Sequence, residues 1–94
     1  MPLSIHPGTI DKYHFKLLLS LTSITSENIK CALEHYFVLG ESRKKVCEDF
    51  GINSSYFMLK IRLIQDVSRT IVSLYPFYEK IYRETMGFTE NQSE

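Results

Sequence analysis

Apolar residues recur along this chain at three- and four-residue spacing, which predicts an all-α fold of about five helices. A first helix begins near Asp11, with His14, Leu17, Leu18 and Leu21 one above another. Tyr13, Phe15 and Leu19 widen that stripe, so the helix can be covered on two sides. The polar, β-branched stretch from Thr22 to Ser26 is a connection. Thr25 is placed to cap the next helix, with Ile24 and Ile29 as a hydrophobic staple. Ile29, Ala32, Leu33, Tyr36 and Phe37 then give the cleanest amphipathic pattern in the chain, closed by Gly40.

The stretch from Glu41 to Arg62 organises the rest. It reads as two helices joined by a tight turn, a helix-turn-helix. Ser42 is the N-cap of a helix whose apolar face is Val46, Cys47 and Phe50. Gly51 takes the left-handed turn position, and Asn53 caps the following helix. Ile52 and Phe57 are spaced to clasp across that cap. Phe57, Ile61 and Ile64 then face inward, and Ser54, Ser55, Met58, Arg62 and Gln65 face outward.

No Gly or Pro follows until Pro76, so the second motif helix is long. It carries two apolar sides, one of Phe57, Ile61, Ile64 and Ile71 and another of Tyr56, Leu63, Val67 and Leu74. Such a helix is a central rod or shares a side with another subunit. Pro76 stops it or opens a further helix, in which Phe77, Tyr78, Ile81 and Tyr82 repeat the spacing up to Met86 and Gly87. The expected organisation is a flexible N-terminal arm over residues 1–10, one helical domain over 11–87 and a disordered tail over 88–94.

Composition narrows the function. The chain has 94 residues, of which 44% are hydrophobic, and a formal net charge of +0, so attraction to nucleic acid must come from a local patch. Arg43, Lys44, Lys45, Lys60 and Arg62 form that patch against Glu48 and Asp49. Arg43, Lys44 and Lys45 open a helix, where cations oppose the helix dipole; a phosphate partner would account for them. The bland alternative is an ordinary helical corner with a solvated basic run. Cys31 and Cys47 lack metal or redox spacing and are expected to be buried and reduced. His6, His14 and His35 are scattered, there is no phosphate-binding glycine loop, and no nucleophile has an evident base. The chain is therefore expected to have no enzymatic activity, no cofactor, no metal and no small-molecule ligand. With no apolar run of membrane length and no export signal at its start, it is expected to be cytoplasmic and free of the membrane.

The run Ser42-Arg43-Lys44-Lys45-Val46-Cys47-Glu48, followed by Asn53, Tyr56-Phe57 and Pro76-Phe77-Tyr78, resembles the PapB family of bacterial adhesin (fimbrial) biosynthesis regulators. The resemblance spans roughly residues 15–78. It implies an all-helical transcription regulator that binds AT-rich double-stranded DNA near fimbrial promoters and oligomerises along it. Members tend to be more basic along the second motif helix, where Leu63 and Asp66 stand here.

In the DNA-binding reading, Arg43, Lys44 and Lys45 hold phosphates, while Asn53, Ser54, Ser55, Met58, Lys60 and Arg62 complete the DNA-facing set. Val67, Leu74, Tyr75, Phe77, Tyr78, Ile81 and Tyr82 exceed what a domain of this size can cover, and are expected to make a homo-oligomer interface. The competing class is a small helical adaptor or antagonist that binds another regulator, favoured by the neutral balance and by Leu59, Leu63 and Asp66.

Overall fold

The computed structural model describes the backbone of residues 5–93 and the side chains of residues 5–86. Among the described residues there are four helices: α1 (Lys12–Ser20), α2 (Glu27–Phe37), α3 (Arg43–Phe50) and α4 (Ser54–Ser93). The fold class is all-α, with no strand among the described residues.

Local chemistry fixes the helix starts. Asp11 accepts from the His14 amide at 2.8 Å and caps α1. Ser26, rather than Thr25, caps α2 by accepting from the Ile29 amide. Two hydroxyls flank that start, and the one whose oxygen reaches the amide three residues on fixes the boundary. Ser42 caps α3 through the Lys45 amide at 3.1 Å. Gly51 ends α3 at φ 63° and ψ 40°, a conformation costly for any residue bearing a Cβ.

Helices α1 to α3 wrap the first part of α4. Phe15 and Leu18 of α1, Ile29, Ala32, Leu33 and Phe37 of α2, and Val46 and Cys47 of α3 form one core with Phe57, Ile61 and Ile64 of α4. Ile52 packs against this core, of which Phe57 is a member. Helix α1 turns only one of its two apolar sides inward, so Tyr13, Leu17 and Leu21 remain exposed.

Three further sequence expectations change. Pro76 neither stops α4 nor starts a new element, giving four helices among the described residues instead of about five. Its ring removes one backbone donor, which the neighbouring turns of a long helix tolerate. Cys31 is exposed while Cys47 is buried. A 100° step per residue carries Cys31 off the arc of Ile29, Ala32 and Leu33 and onto the solvent side. Gln65, placed on the outward arc, clasps the N-terminal segment instead: Ile5 N donates to Gln65 Oε1, and Gln65 Nε2 donates to Ile5 O, both at 2.8 Å.

Residues 5–10 are irregular and lie against the helices. Beyond the Gln65 clasp, Gly8 N donates to Phe37 O at 2.8 Å, and Ile5 and Ile10 pack on the core. Gly8 and Gly40 both have positive φ, and each approaches the other closely enough to crowd an added Cβ. The expected arm's residues 1–4 lie outside the described residues, as do the side chains of the expected tail; its backbone continues α4 to Ser93.

From Ile71 onward α4 leaves the core. The molecule measures 59 × 23 × 23 Å with a radius of gyration of 17.1 Å. A compact domain of this length would have a radius of about 12–13 Å.

Candidate functional site

The corner between α3 and α4 is held from behind. Asn28 Nδ2 donates to Phe50 O at 3.0 Å, tying the start of α2 to the end of α3. Asn53 Oδ1 accepts from the Tyr56 amide at 3.1 Å and caps α4. That cap sets the direction of the helix and commits one end of a side chain expected to face a partner. The Ser54 and Ser55 amides, in the first turn, have no intrahelical acceptor, so this end of α4 carries partial positive charge.

The start of α3 lies beside this helix end. Arg43, Ser54, Ser55, Met58, Leu59 and Arg62 line one open, shallow cleft. A second cleft, lined by Arg43, Lys44, Cys47, Glu48, Ile52 and Ser54, adjoins it through Arg43 and Ser54. Arg43 Nη1 lies 3.8 Å from Met58 Sδ and spans from α3 to the second turn of α4. Arg43, Lys44 and Arg62 are exposed, and the ion pairs among the described residues engage none of them. Their charges point into solvent on the side where α4 begins.

The remaining basic residues are placed differently. Lys45 Nζ lies 2.6 Å from Asp49 Oδ2, one turn on along α3. The hydrogen bond to Asp49, then that carboxylate's charge and that of Glu41, hold the ammonium above its ordinary pKa. Lys60 sits 5.0 Å from the centre of the Tyr56 ring in a cation–π contact, outside the Arg43–Arg62 cleft. Seven of the nine residues expected to face DNA thus line the two clefts or cap the helix beside them; Lys45 and Lys60 have partners elsewhere. Leu59, Cys47 and Glu48 line the clefts without having been expected there.

The residues expected to make an oligomer interface all lie on α4. Val67 is half-buried, and Leu74, Tyr75, Phe77, Tyr78, Ile81 and Tyr82 are 42–68% exposed. Val67 and Leu74 line an apolar groove with Leu21, Asp66, Thr70 and Ile71.

Fold and face together define a small all-helical protein whose unpaired cations gather at the corner of two helices. The chain matches the PapB family of adhesin biosynthesis transcription regulatory proteins over residues 3–78 and belongs to it. It is a transcription regulatory protein by family, not an enzyme. The regulatory protein FanB of Escherichia coli is 44% identical over 70 residues, covering 74% of this chain and 71% of FanB. The E. coli regulator PapB, named for the major pilus subunit operon, is 35% identical over 72 residues, covering 77% of this chain and 69% of PapB. The crystal structure of E. coli FocB superimposes with a TM-score of 0.76 at 30% identity, covering 82% of this chain and 88% of that one. No helix among the described residues is long and apolar enough to cross a membrane.

Proposed function

We propose that the chain regulates an adhesin or fimbrial operon by binding AT-rich promoter DNA at the α3–α4 corner, with subunits associating along the site. The observation that carries this reading is the cationic face: Arg43, Lys44 and Arg62 stand unpaired around the positive end of a 40-residue helix. Arg43, Lys44 and the Ser54 and Ser55 amides present donors suited to phosphate oxygens. Ser55, Met58 and Arg62, one turn apart along α4, reach toward bases. An AT-rich preference is served equally by a narrow minor groove that attracts Arg43 or Arg62. Relatives named as operon regulators of pili and adhesins support the same role.

The adaptor reading loses two of its four supports. Leu63 is half-buried and Asp66 is ion-paired with Arg69, which leaves it the neutral charge balance and the exposed Leu59. A mobility-shift titration against AT-rich and GC-rich promoter fragments tests the proposal. A shift favouring AT-rich DNA, weakened by Arg62→Ala, supports it, whereas no shift on any fragment at low salt removes it.

A further inference from the structure

The cleft shared by α3 and α4 holds two side chains for which phosphate binding has no use. Met58 and Leu59 line it together with Arg43, Ser55 and Arg62. Leu59 is 58% exposed and takes no part in the core. Met58 is half-buried, and its thioether sulfur lies 3.8 Å from Arg43 Nη1, a contact that holds the side chain in the cleft. Steps of about 100° per residue put Ser55 and Arg62 between Met58 and Leu59 on one arc of α4. A lone exposed leucine is ordinary on a protein surface. Here two apolar neighbours share a cleft with two guanidinium groups, so a partner drawn in by charge must bring apolar surface of its own to cover them.

We infer that Met58 and Leu59 select thymine: each packs against the C5-methyl group of a thymine in the major groove, and the AT-rich preference follows from those methyl groups. This rests on the DNA binding that the proposed function includes and names the chemistry of its base selection. The major groove, about 12 Å wide, admits an α-helix, whereas the minor groove, about 6 Å wide, is too narrow for one. On the major-groove edge every A·T pair carries one methyl group and every G·C pair none. The other atoms of that A·T edge are hydrogen-bond donors or acceptors, so the methyl group is the part that an apolar side chain recognises. The guanidinium groups alongside attract the polyanion, but charge alone does not separate a methyl-bearing edge from a bare one. Leu59, which the adaptor reading would give to a protein partner, thereby gains a place in the DNA contact.

The effect has a definite size. Covering one methyl-sized group changes an equilibrium constant by about fourfold, so two such contacts together give about fifteenfold. That separates AT-rich from GC-rich fragments in a titration without fixing a unique site, as suits a preference for composition.

Duplexes in which uracil replaces thymine test the assignment, because they keep the pairing and the minor-groove acceptors and lose only the methyl groups. The full chain should bind the uracil form of an AT-rich fragment about fifteenfold more weakly than the thymine form. Leu59→Ala should lower that ratio to about fourfold, and Met58→Ala combined with Leu59→Ala should abolish it. Placing 5-methylcytosine in a GC-rich fragment restores a methyl group on the same edge, and should tighten binding by the parent but not by the double variant. Equal affinity of the parent for thymine and uracil duplexes would overturn the inference and leave DNA binding standing, the result expected if a narrow minor groove makes the selection. A double variant that keeps the parent's ratio would place the effect in the DNA itself and overturn the inference as well. Should the double variant fail to fold, Leu59→Ala, at an exposed position, still decides: an unchanged ratio removes Leu59 from the contact and overturns the pairing proposed. No binding by the parent to any duplex at low salt would strike the proposed function instead.

Discussion

The two halves of α4 carry the same apolar spacing and meet opposite fates. Phe57, Ile61 and Ile64 are sealed under three helices, and Ile71, Leu74, Tyr78 and Ile81 stand in solvent. Pattern alone does not decide burial; the number of elements available to cover a stripe does. Three short helices cover about four turns of α4, and nothing within the described chain remains for the rest.

The contrast predicts a steep difference between equivalent truncations. Phe57→Ala removes a fully buried ring and should cost about 3–5 kcal/mol, enough to unfold a small domain at ambient temperature. Tyr78→Ala, on the same stripe, should leave the melting temperature of dilute protein almost unchanged. Urea denaturation of both variants measures the difference, and equal losses would mean that the overhang is packed in the isolated subunit.

Smaller effects sharpen the account of the head. Gly51→Ala should cost about 1–2 kcal/mol, because the left-handed turn strains any Cβ even though nothing lies within 4 Å of it. Gln65→Ala removes both hydrogen bonds to Ile5 and should cost about 1–2 kcal/mol. It should also speed amide exchange at Ile5 and Gly8, measurable by NMR, with little change elsewhere.

The smallest effect concerns Lys45. Its folded-state pKa is raised by Asp49, so its contribution to stability is present below the ordinary lysine value of 10.5 and fades as pH rises through the higher folded value. The pair is exposed, and surface pairs contribute little. Asp49→Asn should therefore leave neutral-pH stability nearly unchanged and flatten only the alkaline limb of a stability profile.

Much of the head was legible because local signals agreed. Ser42, Gly51, Asn53 and the Ile52–Phe57 staple fix the corner independently of tertiary contacts, and the buried face of α2 follows one clean period. Legibility failed where two signals competed. Thr25 and Ser26 both offer a capping hydroxyl. Helix α1 has two apolar sides, and burial of Phe15 and Leu18 rather than Leu17 and Leu21 depends on where α4 lies. Pro76 usually marks an end, but a long helix absorbs one missing bond. Gln65 looked like a solvent-facing side chain because its partner, Ile5, lies 60 residues away in sequence. The basic run also concealed a division: Arg43 and Lys44 enter none of the ion pairs among the described residues, whereas Lys45 meets Asp49 at the next turn.

That division is the most direct handle on the central claim, that an unpaired cationic corner binds DNA through its phosphates. Titrating AT-rich DNA at several salt concentrations should give a log–log slope of about 3–5 per subunit, from neutralised phosphates. Replacing Arg43 and Lys44 together by Ala should reduce that slope by about 2 and weaken binding on every sequence, whereas Lys45→Ala should change it by less than either. A double variant with the parent's slope and affinity would contradict the account.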